Sequence, residues 1–309
     1  MIHFECDYTE GCHPAILQKL IDTNEEQTCG YGLDEHCDHA RALIREVCES
    51  PDADVHFLVG GTQTNTTVIA SILRPHQGVL CAQSGHINIH ETGAIEATGH
   101  KVLPLPSQDG KISAKQIQEA YDTHWQDCDH EHLVQPGMVY LSQSTENGTI
   151  YSKAELSAIS EVCRACRLPL FLDGARLGYA LASPENDLTL SDLADLCDVF
   201  YIGGTKVGAL FGEAVVITNP ALQPDFRYFI KQHGGMLAKG RLLGLQFETL
   251  MEGKEDCLYL QISRHAVSLA LKLKAFFAAE GYQFLFDSPT NQQYPILSNE
   301  EIRQLSQDF

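Results

Sequence analysis

The chain has 309 residues, of which 44% are hydrophobic and 20% charged, a composition typical of a globular protein with a large core. Its 41 acidic residues outnumber its 21 basic ones, which gives a formal net charge of -20. This charge repels phosphate backbones and anionic lipid, so neither nucleic acid nor a membrane is an expected partner. The first seven residues lack the features of a signal peptide, and 11 scattered cysteines fit a reducing compartment. We therefore expect a cytoplasmic protein.

The predicted elements alternate between helix and strand. Pro14 opens a first helix, and a second begins at Asp38. A glycine turn, Gly60-Gly61-Thr62, separates a strand at 55–59 from an apolar helix that passes through Ile72. Further strands are predicted at 78–83, 100–106, 138–143, 168–172, 199–202 and 214–218, with helices at 91–98, 113–125 and 153–167. This alternation predicts an α/β fold with one mainly parallel sheet flanked by helices.

The last quarter of the chain has a different pattern. Two apolar helices are predicted at 242–251 and 258–279, strands near Phe284 and Ile296, and a helix at 300–309. We therefore expect a large domain at 1–235 and a small α/β carboxyl-terminal domain at 236–309.

Three charged side chains follow two of the apolar strands. Asp173 and Arg176 come after the strand at 168–172, and Lys206 follows Gly203-Gly204-Thr205 after the next strand. Parallel strands end at the same edge of a sheet, where open α/β sheets bind ligands. This set suits pyridoxal phosphate: the lysine forms a Schiff base, the carboxylate keeps the pyridine nitrogen protonated, and the arginine binds an amino-acid carboxylate.

Two earlier turns extend this prediction. The glycine turn at Gly61 and Thr62 exposes the first amides of a helix, which attract a phosphate group. His86 follows another strand, where its ring suits stacking on a cofactor and proton transfer. Each turn also has a purely structural interpretation, as a cap or a glycine turn.

No metal site is expected. Cys163 and Cys166 have zinc or redox spacing, but they fall late in a predicted helix without a second pair. The run His130-Glu131-His132 lies in a polar loop and is interpreted as a solvated turn.

As a set, four motifs resemble the threonine aldolase branch of the β-eliminating lyase family, which has the aspartate aminotransferase fold (fold type I). They occur in family order and at family spacing, and the resemblance covers nearly the whole chain. The motifs are Gly60-Gly61-Thr62-Gln63, Gly85-His86 with Glu91, Asp173-Gly174-Ala175-Arg176 and Gly203-Gly204-Thr205-Lys206.

The resemblance implies a role for each residue of these motifs. Lys206 is the Schiff-base lysine, Asp173 faces the pyridine nitrogen, Arg176 binds the substrate carboxylate, and His86 stacks on the ring. Further cofactor contacts are implied for Gly61, Thr62, Thr205 and Arg176. Tyr31 is implied to reach the substrate site of a neighbouring subunit, in a homodimer or a homotetramer.

The chain departs from the family at two places. Many members have a histidine where this chain has Glu146, so the acceptor of the substrate hydroxyl proton is either His86, which we prefer, or Glu146. Members also continue past the position of Phe309, so we expect the small domain to be incomplete.

The predicted activity is cleavage of a β-hydroxy-α-amino acid, such as threonine or allo-threonine, to glycine and an aldehyde. The alternatives are β-elimination or transamination of an amino acid on the same cofactor, or a cofactor-binding protein with little turnover.

Overall fold

A seven-stranded sheet forms the centre of the computed structural model, which describes residues 3–309 apart from the side chain of Glu255. In spatial order the strands are β1, β7, β6, β5, β4, β2 and β3. The strands from β2 to β6 run parallel, and β7 pairs antiparallel with β1 and β6. Their bounds are β1 Asp54–Leu58, β2 Gln77–Ala82, β3 Lys101–Leu105, β4 Gln135–Ser142, β5 Leu170–Asp173, β6 Val199–Gly203 and β7 Glu213–Ile217.

Helices cover both faces of the sheet. They are α1 Pro14–Asp22, α2 Glu35–Val47, α3 Gly61–Ile72, α4 His86–Ile89, α5 Ala94–Ala97, α6 Ala114–Gln126, α7 Lys153–Cys166, α8 Leu177–Leu181, α9 Leu190–Leu196, α10 Phe226–Gln232, α11 Arg241–Met251, α12 Leu258–Ala279 and α13 Asn299–Leu305. Side-chain caps fix several starts: Ser113 and Ser152 each form a capping box, at α6 and α7. No helix in the described part of the chain is both long and apolar enough to span a bilayer.

The sheet divides the interior into two cores. Strand β5 shows the division, because Leu170 and Leu172 pack in the larger core, with α7 and α11, while Phe171 packs in the smaller core, with α3 and α10. Side chains alternate along a strand, so Asp173 points to the same side as Phe171. The carboxylate therefore lies at the end of the strand, on the face that α3 covers.

The predicted strands of the sheet and the long helices are confirmed, as is the mainly parallel sheet. The helix predicted at 91–98 is wrong in extent. Only Ala94–Ala97 is helical there, because Thr92 and Gly93 have left-handed φ values of 54° and 71°. Four short helices, α4, α8, α9 and α10, were not predicted, because four to seven residues are too few for a clear apolar period.

The strands predicted near Phe284 and Ile296 are also wrong. The two segments make a single isolated antiparallel bridge, between Phe284 and Pro295. Proline has no backbone N–H to donate, so Pro295 cannot extend a ladder of hydrogen bonds. The two neighbouring backbone hydrogen bonds run from the Leu285 amide to the Tyr294 carbonyl and from the Ile296 amide to the Gln283 carbonyl. The helix predicted at 300–309 is present but ends at Leu305. The division into domains at residue 235 stays a prediction.

Candidate active site

The site lies at the carboxyl ends of four neighbouring strands, β2, β4, β5 and β6. His86 follows β2, Glu146 follows β4, Asp173 ends β5, and Lys206 follows β6. Because these strands are parallel and adjacent, their carboxyl ends share one edge of the sheet. The structure thus places four predicted site residues along one edge.

Asp173 is the most tightly held of these groups. Its Oδ2 atom accepts hydrogen bonds from the Tyr140 hydroxyl at 2.5 Å and from Asn65 Nδ2 at 3.1 Å. Its Oδ1 atom accepts from the Tyr201 hydroxyl and from the Ala175 amide. Asp173 is only 4% exposed. Its four hydrogen-bond donors hold the buried carboxylate in position and stabilise its negative charge.

A chain of hydrogen bonds links His86 to Asp173. His86 Nδ1 lies 2.8 Å from Glu91 Oε1, and Asn65 Nδ2 donates to the same Glu91 oxygen at 2.7 Å and to Asp173. Within the described residues, Nε2 of His86 makes no hydrogen bond. Burial lowers the pKa of His86, but the hydrogen bond to Glu91 and nearby carboxylates raise it more, so the pKa lies above its usual value.

Glu146 lies beside His86. Its Oε1 atom accepts from the His86 backbone amide at 2.9 Å and from Ser142 Oγ at 2.7 Å. Burial raises the pKa of the Glu146 carboxyl, and these two hydrogen bonds only partly oppose that rise. A carboxyl group with a raised pKa is suited to proton transfer near neutral pH.

Glu213, the first residue of β7, accepts hydrogen bonds from the turn that carries Lys206. Glu213 Oε1 accepts from Thr205 Oγ1 at 3.0 Å, and Oε2 accepts from the Gly204 amide at 3.2 Å. Burial raises the pKa of Glu213 to about 8. The Thr205 hydroxyl is therefore bonded to the Glu213 carboxyl group.

The amine of Lys206 is partly buried. Burial, and then the charge of Arg176, lower the pKa of the Lys206 amine. Its Nζ atom lies 5.9 Å from the centre of the Tyr8 ring, and the Tyr179 hydroxyl donates to the backbone carbonyl of Lys206. A lowered pKa leaves a larger neutral fraction of the amine, which is the nucleophilic form.

The first turn of α3 fits a phosphate group. Its N-cap, Gly60, provides no side-chain cap, so the first amides remain available to an anion. A Cβ atom at Gly61 would come 3.3 Å from the Tyr201 hydroxyl, which also bonds Asp173. Thr62 is exposed in the same turn. A helix start, a fixed carboxylate and a lysine of lowered pKa together fit pyridoxal phosphate.

Arg176 is not free. Its Nε and Nη2 atoms donate to the two carboxylate oxygens of Asp7, at 2.7 and 3.0 Å. Asp7 comes from the segment before α1 and was not predicted to contact the site.

Tyr31 lies apart from the residues above. Its ring faces Lys231 Nζ at 5.0 Å, and its carbonyl accepts from Arg227. Tyr31 is also 46% exposed to solvent. Within one chain, therefore, the structure does not bring Tyr31 into contact with the other predicted site residues.

Five residues that contact the predicted site residues were not themselves predicted as part of the site. Two of them had a usable signal: Asn65 follows the glycine turn, and Glu213 is an acid at the start of an apolar strand. The other three, Asp7, Tyr140 and Tyr201, carry no pattern that separates them from ordinary loop or core residues.

The fold is that of the pyridoxal phosphate enzymes of the aspartate aminotransferase type. An aspartate aminotransferase double mutant from Thermus thermophilus superimposes with a TM-score of 0.68 at 12% identity, over 91% of this chain and 72% of that one. Residues 6–276 match the family described as beta-eliminating lyase, and the chain therefore belongs to that family.

Two relatives resemble the chain over nearly its whole length. A low specificity L-threonine aldolase of Pseudomonas aeruginosa is 31% identical over 98% of this chain and 86% of that protein. The structure of a threonine aldolase from Leishmania major is 50% identical, with a TM-score of 0.94 over 98% of this chain and 86% of that one.

Proposed function

We infer that the protein is a pyridoxal phosphate-dependent aldehyde-lyase that cleaves threonine or a related β-hydroxy-α-amino acid to glycine and an aldehyde. The observation that carries this inference is the 50% identity to the Leishmania major threonine aldolase across 98% of the chain. The placement of a lysine, an acid and a histidine at neighbouring strand ends supports it.

Bound pyridoxal phosphate supplies a ring that withdraws electrons from the substrate α-carbon. Lys206 would hold the cofactor covalently, and Asp173 would keep the proton on the pyridine nitrogen. The first turn of α3, with Gly61 and Thr62, would hold the phosphate. Thr205, whose hydroxyl donates to Glu213, would hold the turn that carries the lysine beside the cofactor. His86 would lie against the ring.

Arg176 would hold the carboxylate of the amino acid and so fix which bond to the α-carbon is broken. The substrate hydroxyl must also lose its proton. Nε2 of His86 is the preferred acceptor, because the bond from Nδ1 to Glu91 fixes the ring and leaves Nε2 available. Glu146 is the second candidate, since its carboxyl lies against the His86 backbone.

The reaction is tested by incubating the holoenzyme with threonine and with allo-threonine. We expect acetaldehyde and glycine in equal amounts. Ammonia with a 2-oxo acid would instead indicate β-elimination, and an amino-group transfer to the cofactor would indicate transamination. An unreactive protein that retains the visible absorbance of the bound cofactor would indicate a cofactor-binding protein with little turnover.

A homodimer or a homotetramer is proposed as the assembled form, with Tyr31 reaching the substrate site of the neighbouring subunit. The exposure of the Tyr31 ring supports this arrangement. Sedimentation velocity tests it, because a monomer at the concentrations used for assay would contradict the proposal. A location in the cytoplasm stays a prediction.

The pH dependence tests the role of His86. If neutral His86 accepts the hydroxyl proton, kcat/KM rises with pH through the pKa of His86, which lies above the usual value of about 6.5. Glu91→Gln removes the carboxylate that raises this pKa, so we expect the acid limb of the profile to move to lower pH.

The measurement is kcat/KM for threonine against pH in both proteins. Glu96→Gln is the matched control, because Glu96 is an exposed acid on the neighbouring short helix and should leave the limb in place. A limb that does not move in Glu91→Gln would contradict the role of His86 and favour Glu146.

A further inference from the structure

The segment before α1 places a carboxylate on the arginine that is proposed to bind the substrate. Asp7 accepts from Arg176 Nε at 2.7 Å and from Nη2 at 3.0 Å, and Asn291 Nδ2 adds a third bond at 3.0 Å. The two charged side chains are 15% and 16% exposed. Burial raises the pKa of Asp7, but its bonds and charges to Arg176 lower it more, so Asp7 is ionised at neutral pH.

The pair leaves one edge of the guanidinium for a ligand. Asp7 occupies the edge formed by Nε and Nη2, while Nη1 of Arg176 makes no hydrogen bond within the described residues. A guanidinium has five N–H donors, so a second carboxylate can still bind at Nη1 and Nη2. That carboxylate meets a cation whose charge is already offset, and the attraction is correspondingly weak.

An amino acid differs from a simple carboxylate in carrying an ammonium group as well. The charge of Asp7 acts on Lys206 as well as on Arg176, and the next residue, Tyr8, has its ring 5.9 Å from Lys206 Nζ. Under the proposed function the substrate amino group arrives beside Lys206, so the carboxylate of Asp7 favours a ligand that carries a cation there.

We propose that Asp7 is a specificity-determining residue that selects amino-acid zwitterions over simple carboxylates, by offsetting the charge of Arg176 and attracting the substrate ammonium. The inference rests on the proposed function, because it assumes that Arg176 faces the substrate. A purely structural role is the alternative, in which Asp7 only ties the segment before α1 to Arg176 and Asn291.

The test compares glycine with acetate, which has the carboxylate but not the ammonium. Glycine is titrated into the holoenzyme and followed by the visible absorbance of the bound cofactor, and acetate is measured as a competitor of glycine. Asp7→Asn keeps the shape but removes the charge. We expect the ratio of acetate to glycine affinity to rise about ten-fold, since removal of a unit charge a few ångströms from a ligand charge has an effect of that order.

Two further variants separate charge from structure. Asp7→Glu retains the charge and should keep the selectivity of the unaltered protein, even if both affinities change. Glu10→Gln removes an exposed acid from the same segment and should change neither affinity.

The outcomes distinguish this inference from the proposed function. If the unaltered holoenzyme does not respond to glycine, the proposed function fails, and this inference fails with it. If the protein responds to glycine but the ratio is unchanged in Asp7→Asn, or if Asp7→Glu loses selectivity to the same degree, Asp7 has only a structural role.

Discussion

Lys206→Ala is expected to remove both the visible absorbance of the bound cofactor and all cleavage of threonine. The alanine side chain has no amine to hold the cofactor. Lys111 also follows a strand at this edge, β3, but its amine is paired with Glu155 at 2.7 Å. Burial lowers the pKa of the Lys206 amine, so the group that is lost is also the one prepared to act as a nucleophile.

The absorbance spectrum and the release of acetaldehyde are measured on the same sample after incubation with excess pyridoxal phosphate. Lys115→Ala is the control, because Lys115 lies on α6 with 83% of its side chain exposed, and both signals should be unchanged. Full turnover in Lys206→Ala would show that the assignment of the lysine is wrong.

The sequence predicted that candidate site residues lie together at one edge of the sheet, and the structure places four of them there. His86, Glu146, Asp173 and Lys206 each come soon after an apolar run, and a mainly parallel sheet brings such positions to one edge whatever the details of packing. To predict that these residues lie together, only the order of the strands was needed. The alternation of strands and helices along the chain restricts that order.

Contacts between distant loops could not be predicted in this way. Asp7 and Arg176 are separated by 169 positions, and neither lies in a strand, so no periodic pattern relates them. Tyr140 and Tyr201 were predicted as strand residues, but their hydroxyls reach Asp173 only because three adjacent strands place them on one face. A residue donated by a neighbouring subunit, as proposed for Tyr31, leaves no trace within one chain.

The second large effect, a loss of kcat, is expected when the buried carboxylate of Asp173 is replaced. Asp173→Asn should retain the cofactor, because Lys206 and the first turn of α3 are unchanged, but it should lose most of its rate. A neutral amide does not hold the pyridine proton as a carboxylate does. A hydrogen bond to a charged group contributes about 1.5 to 3 kcal/mol, so kcat should fall about ten- to over a hundred-fold.

The same substitution also tests how the carboxylate is held. Asparagine has one acceptor oxygen and an NH₂ group, so at least one of the four donors to Asp173 loses its partner. An unsatisfied buried donor costs about 1 to 3 kcal/mol, and the thermal midpoint of Asp173→Asn should fall as well. Tyr140→Phe is the matched control, because it removes one donor and leaves the charge.

The changes in kcat and in thermal midpoint should therefore follow different patterns in Tyr140→Phe and Asp173→Asn. In Tyr140→Phe the thermal midpoint should fall while kcat falls only slightly, because the carboxylate still faces the cofactor. In Asp173→Asn both should fall, with the cofactor absorbance retained. A near-normal kcat in Asp173→Asn would contradict the electron-withdrawing role of the cofactor ring that Asp173 is proposed to maintain, whatever the change in stability.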